Sequence, residues 1–504
     1  MVRAAVAYPL HLPYIAVQAP GNARSAAHVA CRDGSDRLNP VAGEISAPEA
    51  ITIWASNAIG HSSMALDDLP QELLAHIFTF LHIAPHSPAF APGNAVKLNT
   101  LAAAAAASRA LNAAASPTLY HTFHIGNHAM ARMWQFGTTI MGNSRLASMV
   151  RVLHFPDDQD DYNSTSGRDA FDACCAARGL PYHISPSGNL TTGENDRDFR
   201  LPLIIGSCPR LVQLSVPRPW SHRTHAEMRS RKLHELVVES DWIAAPCLPG
   251  ALQTLRELRL YAPIDMNLTA ISISQHEIEK ALSLPSLRTL RVQHPASSAR
   301  SPLCSSSTLR HLYLTESQTR AIHIARLLKT FPELRTLSID CTNRAFSFAR
   351  EFAAIGDVLR SQGTALTKLA LGSRNYNDTE ASPPLIGSLV ELASLQSLRL
   401  PIEALISNDD GTSDDASTDQ PMLPLAANLP PTLRYLTVID DFNANNDAHL
   451  LDAALIDLIA NTSFSKLKRI RVHRRALFSE QLEHLGWQSS HEDELCVLRR
   501  CRGG

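Results

Sequence analysis

The sequence predicts a mixed α/β protein, in which a small N-terminal helical unit precedes a long array of short parallel strands with helical return segments. Two observations predict this fold class. An amphipathic segment at 66–81 is followed by an alanine-rich stretch, and a short apolar pattern recurs from residue 146 onward. With 504 residues, 45% of them hydrophobic, the chain is long enough for more than one domain and for a substantial core.

The helical unit begins in LDDLPQELLAHIFTFL, residues 66–81. Proline is tolerated at a first helical position, and early carboxylates suit the positive end of the helix dipole, so Pro70 and Glu72 indicate a helix start. On a 3.6-residue period the apolar residues form a wide stripe: Leu73, Leu74, Ile77, Phe78, Phe80 and Leu81. Residues 98–115 predict one or two further helices that end near Pro117, while residues 1–63 lack a period and read as a disordered leader.

The second unit is predicted from apolar residues at positions 1, 4 and 6 of a repeating pattern. The matches are 150-153-155, 211-214-216, 233-236-238, 255-258-260, 287-290-292, 309-312-314, 334-337-339, 366-369-371, 395-398-400, 433-436-438 and 467-470-472. This succession resembles a leucine-rich-repeat solenoid over 146–504, in which each unit supplies one short strand and a return segment. The segments 319–331 and 344–362 have helical spacing and are predicted return helices.

The solenoid is expected to be irregular. Successive pattern positions lie 22 to 38 residues apart, and the ninth position lacks the Asn or Cys that regular repeats carry. Two polar, acidic stretches, near 157–200 and 407–420, are predicted to be solvated insertions. The alternative for these stretches is a docking loop that responds to modification.

Residues 64–125 resemble an F-box domain. The matching residues are Leu69, Pro70, Glu72, Leu73, Leu74, Ile77, Phe78 and Leu81, followed by Ser108, Arg109, Pro117, Leu119 and Tyr120. The loop from His82 to Lys97 is longer than the family pattern. The resemblance implies binding to the Skp adaptor, and through it to a cullin, by an adaptor-binding set that comprises Leu69, Pro70, Leu73, Ile77, Phe78 and Leu81. In the competing interpretation, the apolar stripe is only the core of this small unit.

The charge balance indicates which kinds of partner to expect, and the cysteine content indicates the cellular compartment. Forty-six basic residues nearly cancel 48 acidic ones, so we expect neither nucleic acid nor a membrane as a partner. The basic clusters at 228–232 and 466–475 are read as solvated faces, with contact to nucleic acid or an acidic partner as the alternative. Nine cysteines without a CxxC pair, and no convincing signal peptide, predict a cytoplasmic or nuclear protein with free thiols.

No catalytic motif is present in the sequence, and we expect no metal and no cofactor. The resemblance therefore predicts a non-catalytic substrate receptor of an SCF-type ubiquitin ligase. Its strands would bind an unknown protein substrate through residues between the pattern positions, such as Tyr313, Arg335, Arg399 and Tyr435. Two alternatives remain at this point: a scaffold that binds the adaptor without ubiquitination, and a hydrolase hidden in the irregular repeats.

Overall fold

A computed structural model gives a mixed α/β protein, and the part of the chain that it describes includes a 13-stranded, mostly parallel sheet and twelve α-helices. The chain divides into two compact units, Met1–Val150 with Asn163–Tyr182 and Arg151–Tyr162 with His183–Gly504. The residues that the structure describes are 69–82, 92–124, 130–155, 167–178, 203–217, 249–261, 273, 275–293, 295, 308–317, 320–341, 351–373, 385–405, 425–439, 448–472, 482, 484–492 and 495–501. The predicted leader and the 407–420 insertion lie outside these residues.

The first unit is mainly helical. Its elements are α1 (Gln71–Thr79), α2 (Pro92–Ala107), α3 (Arg109–Leu119), β1 (Thr122–His124), α4 (Met130–Gly142), α5 (Ser144–Ala147) and α6 (Arg168–Ala177). The prediction of helices over 98–115 is confirmed, and Ser108 separates α2 from α3 because its side chain accepts a hydrogen bond from the Leu111 amide at 3.1 Å. Helix α3 passes through Pro117 and ends two residues later, so the expected end is nearly right.

Helix α6 corrects the interpretation of 157–200 as a solvated insertion. Phe171 and Cys175, one helical turn apart, are completely buried. The Phe171 ring lies 5.2 Å from that of Trp134 in α4, and the Cys175 thiol lies 4.0 Å from the sulfur of Met141. Two apolar residues at the right spacing therefore anchor a helix within a segment whose overall composition is polar.

The second unit contains most of the sheet. Its strands are β2 (Val152–His154), β3 (Gln213–Pro217), β4 (Glu257–Tyr261), β5 (Thr289–Gln293), β6 (His311–Thr315), β7 (Thr336–Cys341), β8 (Lys368–Ser373), β9 (Ser397–Pro401), β10 (Tyr435–Ile439), β11 (Arg469–Val472), β12 (Trp487–Glu492) and β13 (Leu495–Arg500). From β2 to β11 each strand pairs in parallel with the next one along the chain. This sequential order is that of a solenoid-like α/β fold.

The apolar pattern sets the register of this sheet. Within one row, Leu214 pairs with Leu258, Leu258 with Leu290 and Leu290 with Leu312, so equivalent pattern positions stack directly. All ten pattern matches that the structure describes are buried, which confirms the predicted strands. The match at 233-236-238 lies outside the described residues, and β3 pairs directly with β4.

Helices and 3₁₀ turns connect the strands. They are α7 (Pro249–Leu252), α8 (Gln275–Leu282), α9 (Ala321–Thr330), α10 (Phe352–Gln362), α11 (Leu425–Asn428) and α12 (Ala448–Ala460), with 3₁₀ turns at Ile402–Ala404 and Thr462–Phe464. Helix α9 confirms the first predicted return helix, and α10 confirms the described part of the second. In α10, Gly356 is buried where a Cβ would fall 1.8 Å from the carbonyl oxygen of Ile386.

The sheet ends in an antiparallel hairpin that the repeat pattern does not predict. Strand β13 pairs antiparallel with β11, and β12 pairs antiparallel with β13 to form the edge. Ser489 and Ser490 of β12 are exposed, and so are Arg499 and Arg500 of β13. A polar terminal strand of this kind covers the apolar end of a stack of repeats.

Candidate interaction surfaces

The inward face of α1 supplies the core of the first unit. Leu74, Phe78 and Leu81 are at most 4% exposed. They pack in one cluster with buried residues of α2 and α3, which are Leu101, Ala105, Leu111, Ala114 and Ala115. The spacing of four and then three residues keeps the three α1 side chains on one line of the helix.

The outward face of α1 carries a second apolar line, which we call the exposed stripe: Pro70, Leu73, Ile77 and Phe80. Leu73 is 44% exposed and Phe80 58% exposed, whereas Ile77 is half-buried and Pro70 is exposed. The His76 ring meets the edge of the Phe80 ring at 5.4 Å and extends this surface. None of these four residues belongs to the core cluster that the described residues of α1, α2 and α3 form.

The six predicted adaptor-binding residues therefore divide into two groups. Pro70 and Leu73 are exposed, Leu69 and Ile77 are partly exposed, and Phe78 and Leu81 are buried. The adaptor-binding set stays a prediction, but its last two members do not lie on the surface of the first unit. The set also omitted Phe80, which the structure places on the exposed stripe.

The regular helical period explains this division, because residues 73, 77 and 80 follow one line of the helix and residues 74, 78 and 81 follow the neighbouring line. The amides of Phe80 and Leu81 donate to the carbonyls of Ile77 and Phe78, at 3.2 and 3.0 Å. These three-residue steps place Phe80 above outward-facing Ile77, and Leu81 above inward-facing Phe78. The last turn therefore keeps the two lines that the 3.6-residue period predicts.

Two histidines connect the ends of α1 and α3. The His82 Nε2 and His121 Nδ1 atoms lie 2.8 Å apart, so one ring donates a hydrogen bond to the other. Burial, together with the charge of Lys97, lowers the pKa of His82 below its ordinary value of 6.5. The pair belongs to the packing of the unit, and no group of three or more His, Cys, Asp or Glu among the described residues could hold a metal ion.

The outer face of the sheet is the second candidate surface, and we define it as the strand face opposite the buried leucines. Parallel pairing aligns Ser215 with Arg259, Arg259 with Arg291 and Arg291 with Tyr313 in one row across four strands. Neighbouring strands lie about 4.8 Å apart, so Arg259 and Arg291 become direct neighbours although they are 32 positions apart in sequence. Of the expected substrate-binding residues, Tyr313 is half-buried in this row, whereas Arg335, Arg399 and Tyr435 are exposed.

Arginines also mark the entry edge of the strands, just before the first residue of β4 to β7. We call Arg256, Arg288, Arg310 and Arg335 the arginine ridge. Their backbone carbonyls bind the next repeat, as when Arg256 accepts from the amides of Arg288 and Thr289 at 2.9 Å each. The stacking of the backbone therefore spaces the four side chains along the edge at about one strand each.

The positive charge of these arginines also affects the pKa of a neighbouring histidine, His311. Burial lowers the pKa of His311, and the charges of Arg335, Arg291 and Arg310 lower it further, against a smaller opposing effect of Glu257. The positive charge is concentrated around these arginines, because the whole chain has a net charge of only −2.

An open pocket of about 380 Å³ lies on the outer face over β4, β5 and β6, and its lining includes His154, Arg259, Tyr261, Arg291 and Tyr313. Glu257 holds both cations, because its Oε1 accepts from Nε of Arg259 at 2.9 Å and from Nε of Arg291 at 3.2 Å. The Arg291 guanidinium also lies 3.8 Å from the centre of the Tyr313 ring. The sequence shows these arginines, but their proximity depends on the register of the sheet.

Comparison with known proteins adds no relative. No protein-family model matches the chain, and no curated protein matches it. Among the described residues, the helices include none with the length and apolar content needed to cross a membrane.

Proposed function

We propose that this protein is the substrate-recognition subunit of an SCF-type cullin-RING ubiquitin ligase. In this proposal, the first unit is an F-box that binds the Skp adaptor through the exposed stripe of α1. The second unit is an irregular leucine-rich-repeat solenoid, and its outer face binds a protein substrate. Ubiquitin transfer is performed by other subunits, so the protein needs no catalytic residue of its own.

The exposed stripe is the observation that carries this proposal. Monomeric domains rarely leave aligned large apolar side chains in water unless they serve an interface. Here Leu73, Ile77 and Phe80 form such a line on a helix whose other face is already packed. All three residues lie within 64–125, the segment that resembles an F-box.

Co-purification tests the proposal. The full-length chain is mixed with purified Skp adaptor and cullin and then recovered by affinity chromatography. Recovery of both partners supports a ligase receptor. Recovery of the adaptor without cullin would favour the scaffold alternative, and recovery of neither would refute the proposed function.

A further inference from the structure

The pocket on the outer face of β4 to β6 combines three features of a binding site for an anion. It contains two guanidinium groups side by side, it opens to solvent, and three of its strands follow directly on residues of the arginine ridge. Its volume of about 380 Å³ is near the lower end of the range for ligand sites, roughly 300 to 1,000 Å³. This size suits one side chain and its flanking backbone better than a large cofactor.

The two arginines are held in place before any ligand arrives. Glu257 accepts from the Nε atom of each, and Tyr313 supports the face of Arg291. A guanidinium carries five N–H donors, and the contact with Glu257 uses one of those of Arg291. A planar, supported guanidinium loses little freedom when it binds a carboxylate or phosphate in a bidentate manner.

The balance of charge also favours an anion. Glu257 neutralises one of the two pocket cations, and the arginine ridge adds four more positive charges along the adjoining strand edge. The only acidic contact to the ridge among the described ion pairs is a long one, 3.9 Å between Arg310 and Glu333. Asp340, the strand partner of pocket-lining Thr315, adds a second negative charge, so the described residues of β4 to β7 and the arginine ridge together carry six arginines against Glu257 and Asp340.

We propose that Arg259 and Arg291 bind an oxyanion on a side chain of an extended segment of the protein substrate. This inference rests on the proposed function and specifies its substrate class: a segment that presents an acidic or phosphorylated residue to the outer face of the sheet. His154 and Tyr261 line the pocket beside the two arginines, and the arginine ridge attracts further acidic residues of the same segment.

A peptide fits these observations better than a nucleic acid does. Glu257 contacts both Arg259 and Arg291, and its negative charge would repel a continuous phosphate backbone at this position. One face of the Tyr313 ring is covered by Arg291, so at most one face of this ring is open to a base. The discrete pocket instead suits one anionic group at a time.

Peptide binding to the full-length chain tests the inference. The probes are four labelled nine-residue Gly/Ser peptides whose central residue is phosphoserine, Glu, Ser or Lys, and the measurement is fluorescence anisotropy. We expect the phosphoserine peptide to bind at least about ten-fold more tightly than the Ser peptide, a difference of about 1.4 kcal/mol, because only the phosphate can accept a charge-assisted bidentate contact from arginine. Binding of the Glu peptide as well identifies carboxylates as ligands, whereas binding of phosphoserine alone identifies phosphate; either result supports the site.

Variants locate the binding. We expect Arg259→Ala and Arg291→Ala each to weaken binding of the phosphoserine peptide about ten-fold. Arg291→Lys keeps the charge without the planar fork, so we expect it to weaken binding as well. The matched control is Arg434→Ala at the entry of β10, an exposed arginine five strands from β5, and we expect it to change affinity less than about two-fold.

Three results would overturn the inference: equal binding of all four peptides, equal losses in the pocket and control variants, or tighter Arg291-dependent binding of a single-stranded oligonucleotide. Adaptor binding, measured on the same samples, separates this inference from the proposed function. Pocket variants that lose the peptide must keep the adaptor. If peptide binding fails while adaptor binding persists, the pocket assignment is wrong and the proposed function stands.

Discussion

Replacement of Leu73 by Asp is the most direct test of the exposed stripe. Full burial of a Leu or Phe side chain contributes roughly 1.5 to 3 kcal/mol. Covering the 44% of Leu73 and the 58% of Phe80 that are exposed would therefore contribute about 1 kcal/mol each, or slightly more. Leu73→Asp removes the first contribution and places a carboxylate in a desolvated interface, which costs roughly 2 kcal/mol more. The sum, about 3 kcal/mol, corresponds to roughly 100-fold weaker adaptor binding.

The assay is titration of purified adaptor into the full-length variant by calorimetry, with a thermal melt of each sample. Because Leu73 points away from the core, we expect the melting temperature of Leu73→Asp to stay close to that of the unmodified chain. Ile322→Asp is the matched control, since Ile322 is 54% exposed on α9 and the substitution changes the charge equally. We expect this control to bind the adaptor normally.

Leu74→Ala provides the complementary change on the inward face of the same helix. Leu74 is 1% exposed, and loss of its buried methyl groups should lower the free energy of unfolding by about 2 to 5 kcal/mol. If Leu73→Asp and Phe80→Asp bind the adaptor as tightly as the unmodified chain does, the exposed stripe is not the adaptor-binding surface. A double substitution that includes Phe78 is less informative, because Phe78 is buried and its loss would unfold the unit.

Three further substitutions or conditions test the structure itself. Gly356→Ala should lower the free energy of unfolding by at least about 1 to 3 kcal/mol in denaturant titrations, because its Cβ would collide with the Ile386 carbonyl; Gly142→Ala, with open space around its Cβ, should not be destabilising. Phe171→Ala should lower the melting temperature of the first unit, at a cost of about 3 to 5 kcal/mol, and an unchanged melt would contradict the packing of α6 on α4. The pKa values of His82 and His311 are lowered below 6.5 in the folded chain, so the unfolded chain takes up protons first as the pH decreases. Their contribution to stability is complete above pH 6.5 and falls as the pH drops toward the folded-state pKa values; melts at pH 7.5 and 5.5 check this, and replacing both by Gln should reduce the difference.

The strands were predictable because one physical rule fixes them. A strand side chain at every second position must enter the core, so a pattern such as Leu287-Leu290-Val292 marks the strand and the turn before it. A slip of one residue would expose every leucine of a strand, and the register is therefore determined as well. The antiparallel β12–β13 hairpin was not predictable in this way. Strand β12 lies at the edge of the sheet, and its residues Ser489 and Ser490 are exposed, so they do not follow the apolar pattern of a buried strand.

The candidate surfaces were less predictable than the core, for a reason that Phe78 and Phe80 illustrate. Both are aromatic and only two residues apart, so the helical period places them on different faces, but the packing of α2 and α3 determines that Phe78 lies inside and Phe80 outside. The pocket depends on a pairing between residues far apart in sequence. Arg259 and Arg291 are strand partners that lie 32 positions apart, with α8 between them. Return segments of unequal length leave that pairing unchanged, because the buried leucines alone set the register. The outer face can therefore vary in chemistry from strand to strand without disturbing the fold, which is the property that a substrate-binding surface requires.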